Sequence, residues 1–161
     1  MLLAVDPGSL QTGVALLDRR TGDLLDAGVV RLTAKPGEPG WKRVPGMVEG
    51  ITTWIAGRDV THRVIEMPQV YTHGPGAKAD PDDILLLVLV VGGVMHRIGA
   101  DTLPRPAEWK GQVPKDVMTK RILNYLNDNE KMLLKNKTNN NHNAVDAVGL
   151  GKWAWARLPK T

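Results

Sequence analysis

The sequence predicts a single α/β domain built on a mixed sheet, antiparallel at its start and parallel later. Short apolar runs joined by tight turns fill the first 32 residues, and helical and strand-like segments alternate from residue 43 onward. The 161 residues, 42% hydrophobic and 24% charged, suffice for one sizeable core and are too ordinary for a disordered or collagen-like chain. No internal repeat is visible, so residues 1–161 are read as one domain.

Leu2 to Asp6 is the first strand and Thr12 to Asp18 the second, separated by the turn-rich segment Asp6-Pro7-Gly8-Ser9-Leu10-Gln11. Arg19 to Asp23 reads as a hairpin turn into a third, valine-rich strand over Leu24 to Leu32, completing an antiparallel meander. A Pro/Gly-rich connection from Lys35 to Gly40 leads to a helix over Arg43 to Ile55, where Val44, Met47, Ile51, Trp54 and Ile55 recur at helical intervals. Arg63 to Glu66 is a short strand ended by Pro68, and Gln69 to Asp80 is a glycine-bearing loop. Pro81-Asp82-Asp83 opens the next helix, with proline in the first turn and acids at the positive end of the dipole. That helix, Ile84 to Ile98, is apolar on nearly every side, so a second face must be buried under another helix or a second subunit. Asp101 to Pro104 is a brief edge strand, and Lys115 to Leu126 and His142 to Leu158 are two more helices.

Without cysteine there is no disulfide scaffold, zinc-thiolate site or cysteine nucleophile. The start of the chain lacks the basic and long apolar regions of a signal peptide, and the apolar run Ile84 to Met95, interrupted by Gly92-Gly93, is too short to span a bilayer. A soluble, intracellular protein is expected. The net charge of +4 is unevenly placed: residues 1–104 carry 10 Lys+Arg against 12 Asp+Glu, net −2, and residues 105–161 carry 11 against 5, net +6. A basic third on a near-neutral body points to a polyanion, nucleic acid being the commonest, or is a solvated basic face.

Three acids occupy notable places: Asp6 ends the first strand, Glu66 ends the fourth, and Asp146 lies in the last helix. A carboxylate closing an apolar strand needs a reason, because a buried charge is costly unless paired or metal-bound. In an open α/β sheet, ligands gather at the carboxyl ends of strands, where Asp6 and Glu66 meet if their strands are neighbours. Each acid also has an ordinary reading: Asp6 capping the turn through Gly8, Glu66 paired with Arg63 or His62, Asp146 exposed on its helix.

Asp6-Pro7-Gly8 followed by Thr12-Gly13, an acid after a hydrophobic strand at Glu66, and His142-Asn143-x-x-Asp146-Ala147 on the last helix together resemble the RuvC family of Holliday-junction resolvases. The resemblance spans essentially the whole chain in order. It implies an RNase H-like fold: a five-stranded mixed sheet of order 3-2-1-4-5, flanked by helices, with strands one and four side by side. It implies a metal-dependent, structure-selective endodeoxyribonuclease of DNA recombination and repair that nicks four-way (Holliday) and other branched DNA symmetrically as a dimer. In the family four side chains bind two Mg²⁺, with Mn²⁺ as a substitute, and Asp6, Glu66 and Asp146 match three of these ligands. Hard cations want carboxylate oxygens, and an in-line hydrolysis assisted by two of them leaves a 5′-phosphate and a 3′-hydroxyl.

The fourth ligand departs from the pattern. Family members place Asp or His three residues before the final Asp; here that position is Asn143, with His142 one residue earlier, both facing roughly the same way as Asp146 on a helix. Asn143 offers a neutral oxygen, which leaves three readings open: an active variant, a site of weakened metal affinity, or a protein disabled for cleavage. His142 has the plain alternative of a helix N-terminal residue behind an Asn cap.

The segment Trp109-Lys110-Gly111-Gln112-Val113-Pro114-Lys115, followed by Lys120-Arg121, resembles the one in which the family carries lysines that contact the scissile phosphate. Lys110 is the best match, ahead of Lys115, Lys120 and Arg121. Lys131, Lys135, Lys137 and the amide-rich Thr138 to Asn141 lead into the last helix and either track backbone phosphates or form a solvated connector. Tyr71 resembles the aromatic wedge that relatives present at the junction, stacking on an unpaired base or packing under its own loop. Trp153 and Trp155 read as packing residues. The apolar helix Ile84 to Met95 matches the element through which these resolvases form homodimers, and a two-fold dimer suits a junction with two symmetric strands. The His142-Asn143-x-x-Asp146 and Trp109-Lys110-Gly111-x-x-Pro114-Lys115 motifs look more like phage-encoded members, implying a bacterial or phage-infected host cytoplasm. Other readings stay open: a junction-binding protein without cleavage, motivated by Asn143; an RNA-directed RNase H-like or YqgF-like nuclease; and an ATP-binding protein of the actin and sugar-kinase superfold, which lacks a visible second phosphate loop here.

Overall fold

The computed structural model describes residues 1–70, 80–111 and 113–159. Strands β1 (Leu2–Asp6), β2 (Gln11–Leu17) and β3 (Leu24–Arg31) form the meander. A 3₁₀ turn at Gly40–Arg43 precedes α1 (Val44–Ile55), β4 (His62–Ile65), α2 (Pro81–Ile98), α3 (Pro106–Trp109), α4 (Lys115–Tyr125), α5 (Asp128–Thr138) and α6 (His142–Trp155). The strands lie in the order β3-β2-β1-β4. β1 runs antiparallel to β2, with Leu2 opposite Leu17 and Asp6 opposite Gly13, and parallel to β4, with Val5 opposite Ile65.

The expected fifth strand is corrected to a single parallel bridge between Val64 and Thr102, so the sheet has four strands among the described residues. The chain still follows β4: the Asp101 and Thr102 N–H groups donate to the Arg63 carbonyl at 2.9 and 3.2 Å, and Ile65 and Met67 donate to the Thr102 and Pro104 carbonyls at 3.1 and 2.9 Å. The absent rung is the one Pro104 would have donated, since proline has no N–H.

Strand alternation sorts the apolar side chains into two cores, one on each face of the sheet. Leu2, Ala4, Ala15, Leu17 and Val64 pack with Ile122 of α4, Leu134 of α5 and Val145 and Val148 of α6. Leu3, Val5, Val14, Leu16 and Ile65 pack with Met47 and Ile51 of α1 and Val90, Val91 and Val94 of α2. Small residues let α6 lie close on the strands. A Cβ added at Gly13 would fall 1.9 Å from the Asn143 carbonyl oxygen, so only glycine tolerates this approach.

Helix α5 was not expected from the lysine-rich connector. It begins with a capping box, in which Asn127 Oδ1 accepts from the Glu130 N–H and Glu130 Oε2 accepts from the Asn127 N–H, both at 3.0 Å. Helix α2 starts where proposed, with Asp80 accepting from the Asp82 N–H at 3.0 Å. Its inner face is buried, whereas Leu85, Val88, Leu89 and Met95 form an exposed stripe at helical spacing on the outer face. Among the described residues no helix is long and apolar enough to cross a membrane.

Candidate active site

Because β1 and β4 are parallel neighbours, their carboxyl ends coincide, and the period of two decides where the acids go. Asp6 follows Leu2 and Ala4, and Glu66 follows Val64, on the face covered by α6. Glu66 lies one residue past β4, yet its N–H still donates to the Val5 carbonyl at 3.0 Å, which extends the strand register. Asp146, in the second turn of α6, is only 7% exposed and Asp6 only 8%.

Lys110 stands between the acids. Its Nζ is 3.3 Å from Glu66 Oε2 and 3.5 Å from Asp146 Oδ2. The Trp109 indole N–H donates to the same Glu66 Oε2, and the Lys110 Nζ lies 4.8 Å from the centre of the Trp109 ring. Trp109 ends α3 and Lys110 caps it, and Pro106 opens this helix while Glu108 ties it back by accepting from the Arg105 N–H at 3.2 Å. Asp146 Oδ1 is buried with no hydrogen-bond partner. Trp109 is the contact of the acid cluster that sequence reasoning missed; the available signal was an indole donor beside the best-matched lysine.

The electrostatics follow from crowding three acids around one ammonium. Burial pushes the Asp6 carboxyl well above the usual range, and Glu66 and Asp146 push the same way against Lys110 and Lys115. Burial also raises Glu66, opposed by Lys110 and the Trp109 hydrogen bond. For Lys110, desolvation acts downward but is outweighed by Glu66, Asp6 and Asp146, so the ammonium is held above its ordinary value.

The ordinary readings of these acids do not apply. The turn after Asp6 is closed by Thr12, whose hydroxyl accepts from the Gly8 N–H and donates to the Gly8 carbonyl, both at 3.0 Å. Arg63 pairs with Asp101 at 3.7 Å rather than with Glu66. Asp146 is buried.

The remaining candidates divide by position. A cleft of about 190 Å³ opens beside the acids, lined by Lys110, Val113, Lys115, Met118 and Asp146. Lys115 is the exposed first residue of α4, and Lys120 and Arg121 are exposed farther along it. Lys137 on α5 does not join the cluster: it pairs with Asp26 at 3.7 Å, on β3 at the far edge of the sheet. At the head of α6, Asn141 Oδ1 accepts from the Asn143 N–H at 3.0 Å, the cap expected there. The Asn143 side-chain amide donates to the Gln11 carbonyl at 3.2 Å, tying α6 to β2. His142 is exposed; desolvation and the Lys115 ammonium lower its imidazole, with Asp146 opposing. Tyr71 lies outside the described residues.

The architecture superposes on Thermus thermophilus RuvC in complex with a Holliday junction substrate at a TM-score of 0.62, covering 99% of this chain and 96% of that one at 14% identity. A second Thermus thermophilus RuvC structure superposes at 0.63, covering 96% and 93% at 17% identity. The chain has the RuvC fold. The likeness is one of architecture over nearly the full length of both chains. No protein-family model and no curated protein matches the sequence.

On this RuvC fold the donor chemistry fits a hard divalent cation: three carboxylates, one of which keeps a buried oxygen without a partner. Their present spacing does not. Among the described residues no three acidic or imidazole side chains stand close enough together to hold an ion, and the Lys110 ammonium is the cation between Glu66 and Asp146.

Proposed function

We propose that this chain is a metal-dependent, structure-selective endodeoxyribonuclease that nicks branched DNA, four-way junctions above all. The observation that carries this reading is the convergence of Asp6, Glu66 and Asp146 around Lys110 at the carboxyl ends of β1 and β4. The architecture is shared with a RuvC in complex with a Holliday junction substrate, which supports a junction as the substrate.

Asp6, Glu66 and Asp146 would hold Mg²⁺, or Mn²⁺ in its place, once drawn together around it, with Asn143 or His142 as the fourth contact from the first turn of α6. Such ions would supply Lewis-acid assistance to phosphodiester hydrolysis, for which a 5′-phosphate and a 3′-hydroxyl are the expected products. The other residues position and bind. Trp109 fixes Glu66 through Oε2, so that carboxylate is oriented before substrate arrives. Lys115 at the cleft, with Lys120 and Arg121 along α4, meets backbone phosphates, which sets the register of the strand without reading its sequence. Tyr71 stacks on a base at the branch point. A second copy of the chain covers the stripe of Leu85, Val88, Leu89 and Met95, and the two-fold dimer presents two sites to two symmetric strands.

A second reading, junction binding without cleavage, is favoured by one observation: position 143 carries a neutral amide, whose Nδ2 donates to the Gln11 carbonyl, where a charged or imidazole ligand is expected. A nicking assay separates the two, using a four-way junction, a Y-fork, a linear duplex and an RNA–DNA hybrid, each with Mg²⁺ or Mn²⁺, for the wild type and Asn143→Asp. Paired nicks in the junction and none in the duplex are expected. Binding without nicks in either metal supports the second reading, and nicking of the hybrid alone makes the protein an RNA-directed nuclease.

A further inference from the structure

Lys110 differs from the exposed Lys115, Lys120 and Arg121 in where its charge sits. Its side chain is 23% exposed and bridges two carboxylates whose side chains are 12% and 10% exposed. Carboxylates buried this deeply are costly unless a proton or a positive charge offsets them, and the Lys110 ammonium is the positive charge within reach of Glu66 and Asp146. The described acids are not spaced to hold an ion as they stand, and one oxygen of Asp146 has no partner.

We propose that Lys110 is a displaceable counter-ion: its ammonium fills the cation position of the carboxylate cluster in the metal-free protein and leaves it when a divalent ion enters. This rests on reading the cluster as a metal site. A divalent ion cannot share the Glu66 and Asp146 oxygens with an ammonium without placing like charges in contact, so one must go. Lysine can go without moving the backbone, because its charge sits at the end of a flexible four-carbon stem. The cleft it lines gives it somewhere to move, and the Trp109 ring, already 4.8 Å from the ammonium in its bridging position, flanks that path. Trp109 keeps its own hydrogen bond to Glu66 Oε2 throughout, so the carboxylate stays aimed while the lysine departs. The displaced ammonium is then free to meet a DNA phosphate in the cleft, which couples metal loading to substrate contact.

The test is Mn²⁺ binding to the full chain without DNA, read by the electron paramagnetic resonance signal of free Mn²⁺ at mildly alkaline pH. Lys110→Met is expected to bind about tenfold more tightly than wild type if the ammonium occupies the site some nine-tenths of the time. Lys110→Arg, which keeps the charge, is expected to bind like wild type. In the unaltered protein, the ¹⁵N-lysine ammonium signal of Lys110 should be protected from solvent exchange without metal and lose that protection when Mg²⁺ is added. Equal or weaker Mn²⁺ binding by Lys110→Met, or an ammonium signal that Mg²⁺ leaves unchanged, overturns the displacement. Glu66→Gln separates the two levels. If wild type binds Mn²⁺ and Glu66→Gln weakens it while Lys110→Met gains nothing, displacement alone fails; if neither wild type nor Lys110→Met binds, the metal-site reading fails with it.

Discussion

Two buried acid–lysine clusters sit at opposite ends of the same sheet, and they are balanced in opposite ways. Asp6 lies opposite Gly13 at one end, and Leu2, Leu17 and Leu24 pair at the other. At the Leu24 end, Glu130 is 5% exposed and fully satisfied: it accepts from the Lys152 ammonium, from the Leu24 N–H at 2.7 Å and from the Asn127 N–H at 3.0 Å. Burial acts upward on this carboxyl, but Lys152, Leu24 and Asn127 together hold it below the ordinary range. At the Asp6 end, three acids share one lysine, Asp146 keeps an oxygen without a partner, and burial drives Asp6 and Glu66 upward. The satisfied cluster ties α5 and α6 to β3. The under-satisfied one has capacity left for positive charge, which distinguishes a site from a staple.

The largest expected effects break the comparison outright. Asp6→Asn removes a proposed ligand and is expected to lower nicking by on the order of 10³-fold or more, since a metal site supplies several kcal/mol and each 1.4 kcal/mol is about tenfold. Junction binding, read by fluorescence anisotropy, should survive, because phosphate contacts do not use the carboxylates. Glu130→Ala should do the reverse. Leaving Lys152 buried without its partner costs about 3–5 kcal/mol of stability in denaturant unfolding, with nicking per folded molecule unchanged.

The pH dependence of metal-free stability sharpens the contrast because its sign differs between the clusters. Asp6 and Glu66 titrate higher in the folded chain than their ordinary values of 3.8 and 4.5, so the folded state binds the extra protons and their contribution is lost as pH rises from those values through the raised ones. Glu130 titrates below 4.5, so its contribution is present above that value and lost as pH falls. In urea unfolding with chelator, Asp6→Asn should gain on wild type as pH rises, and the deficit of Glu130→Gln should shrink as pH falls. A gain for Asp6→Asn that shrinks with rising pH would reverse the assignment of which cluster is under-satisfied.

Smaller effects probe how α6 is seated. Gly13→Ala meets the Asn143 carbonyl oxygen and should cost about 1–3 kcal/mol and reduce nicking, because α6 carries Asp146. Asn143→Asp loses the amide donation to Gln11, about 0.5–1.5 kcal/mol in thermal unfolding, and adds a negative charge one turn from Asp146. A clear gain in nicking from that variant would identify position 143 as the fourth ligand.

Much of the site was legible locally. The alternation Leu2, Ala4, Asp6 and the turn after it can be read from the residues, and so can the cap at Asn141. The adjacency of β1 and β4, which brings Asp6 to Glu66, is a long-range pairing that came from family resemblance rather than from spacing. Helix α5 was missed although its Asn127 to Glu130 capping box was in view, because its polar face obscured a helical period. The fifth strand was overcalled because Pro104 stood at the position that had to donate. The links from Trp109 to Glu66 and from Lys152 to Glu130 join residues 43 and 22 apart, and only the packing of helices on the sheet creates them.

The most direct test of the central claim maps nicks in a synthetic four-way junction with Mg²⁺ for the wild type and Glu66→Gln. The wild type should produce paired, symmetric nicks bearing 5′-phosphates, and Glu66→Gln should bind the junction equally well and leave it uncut. Nicking by Glu66→Gln at the wild-type rate, or a wild type that leaves the junction intact with both Mg²⁺ and Mn²⁺, would contradict the assignment.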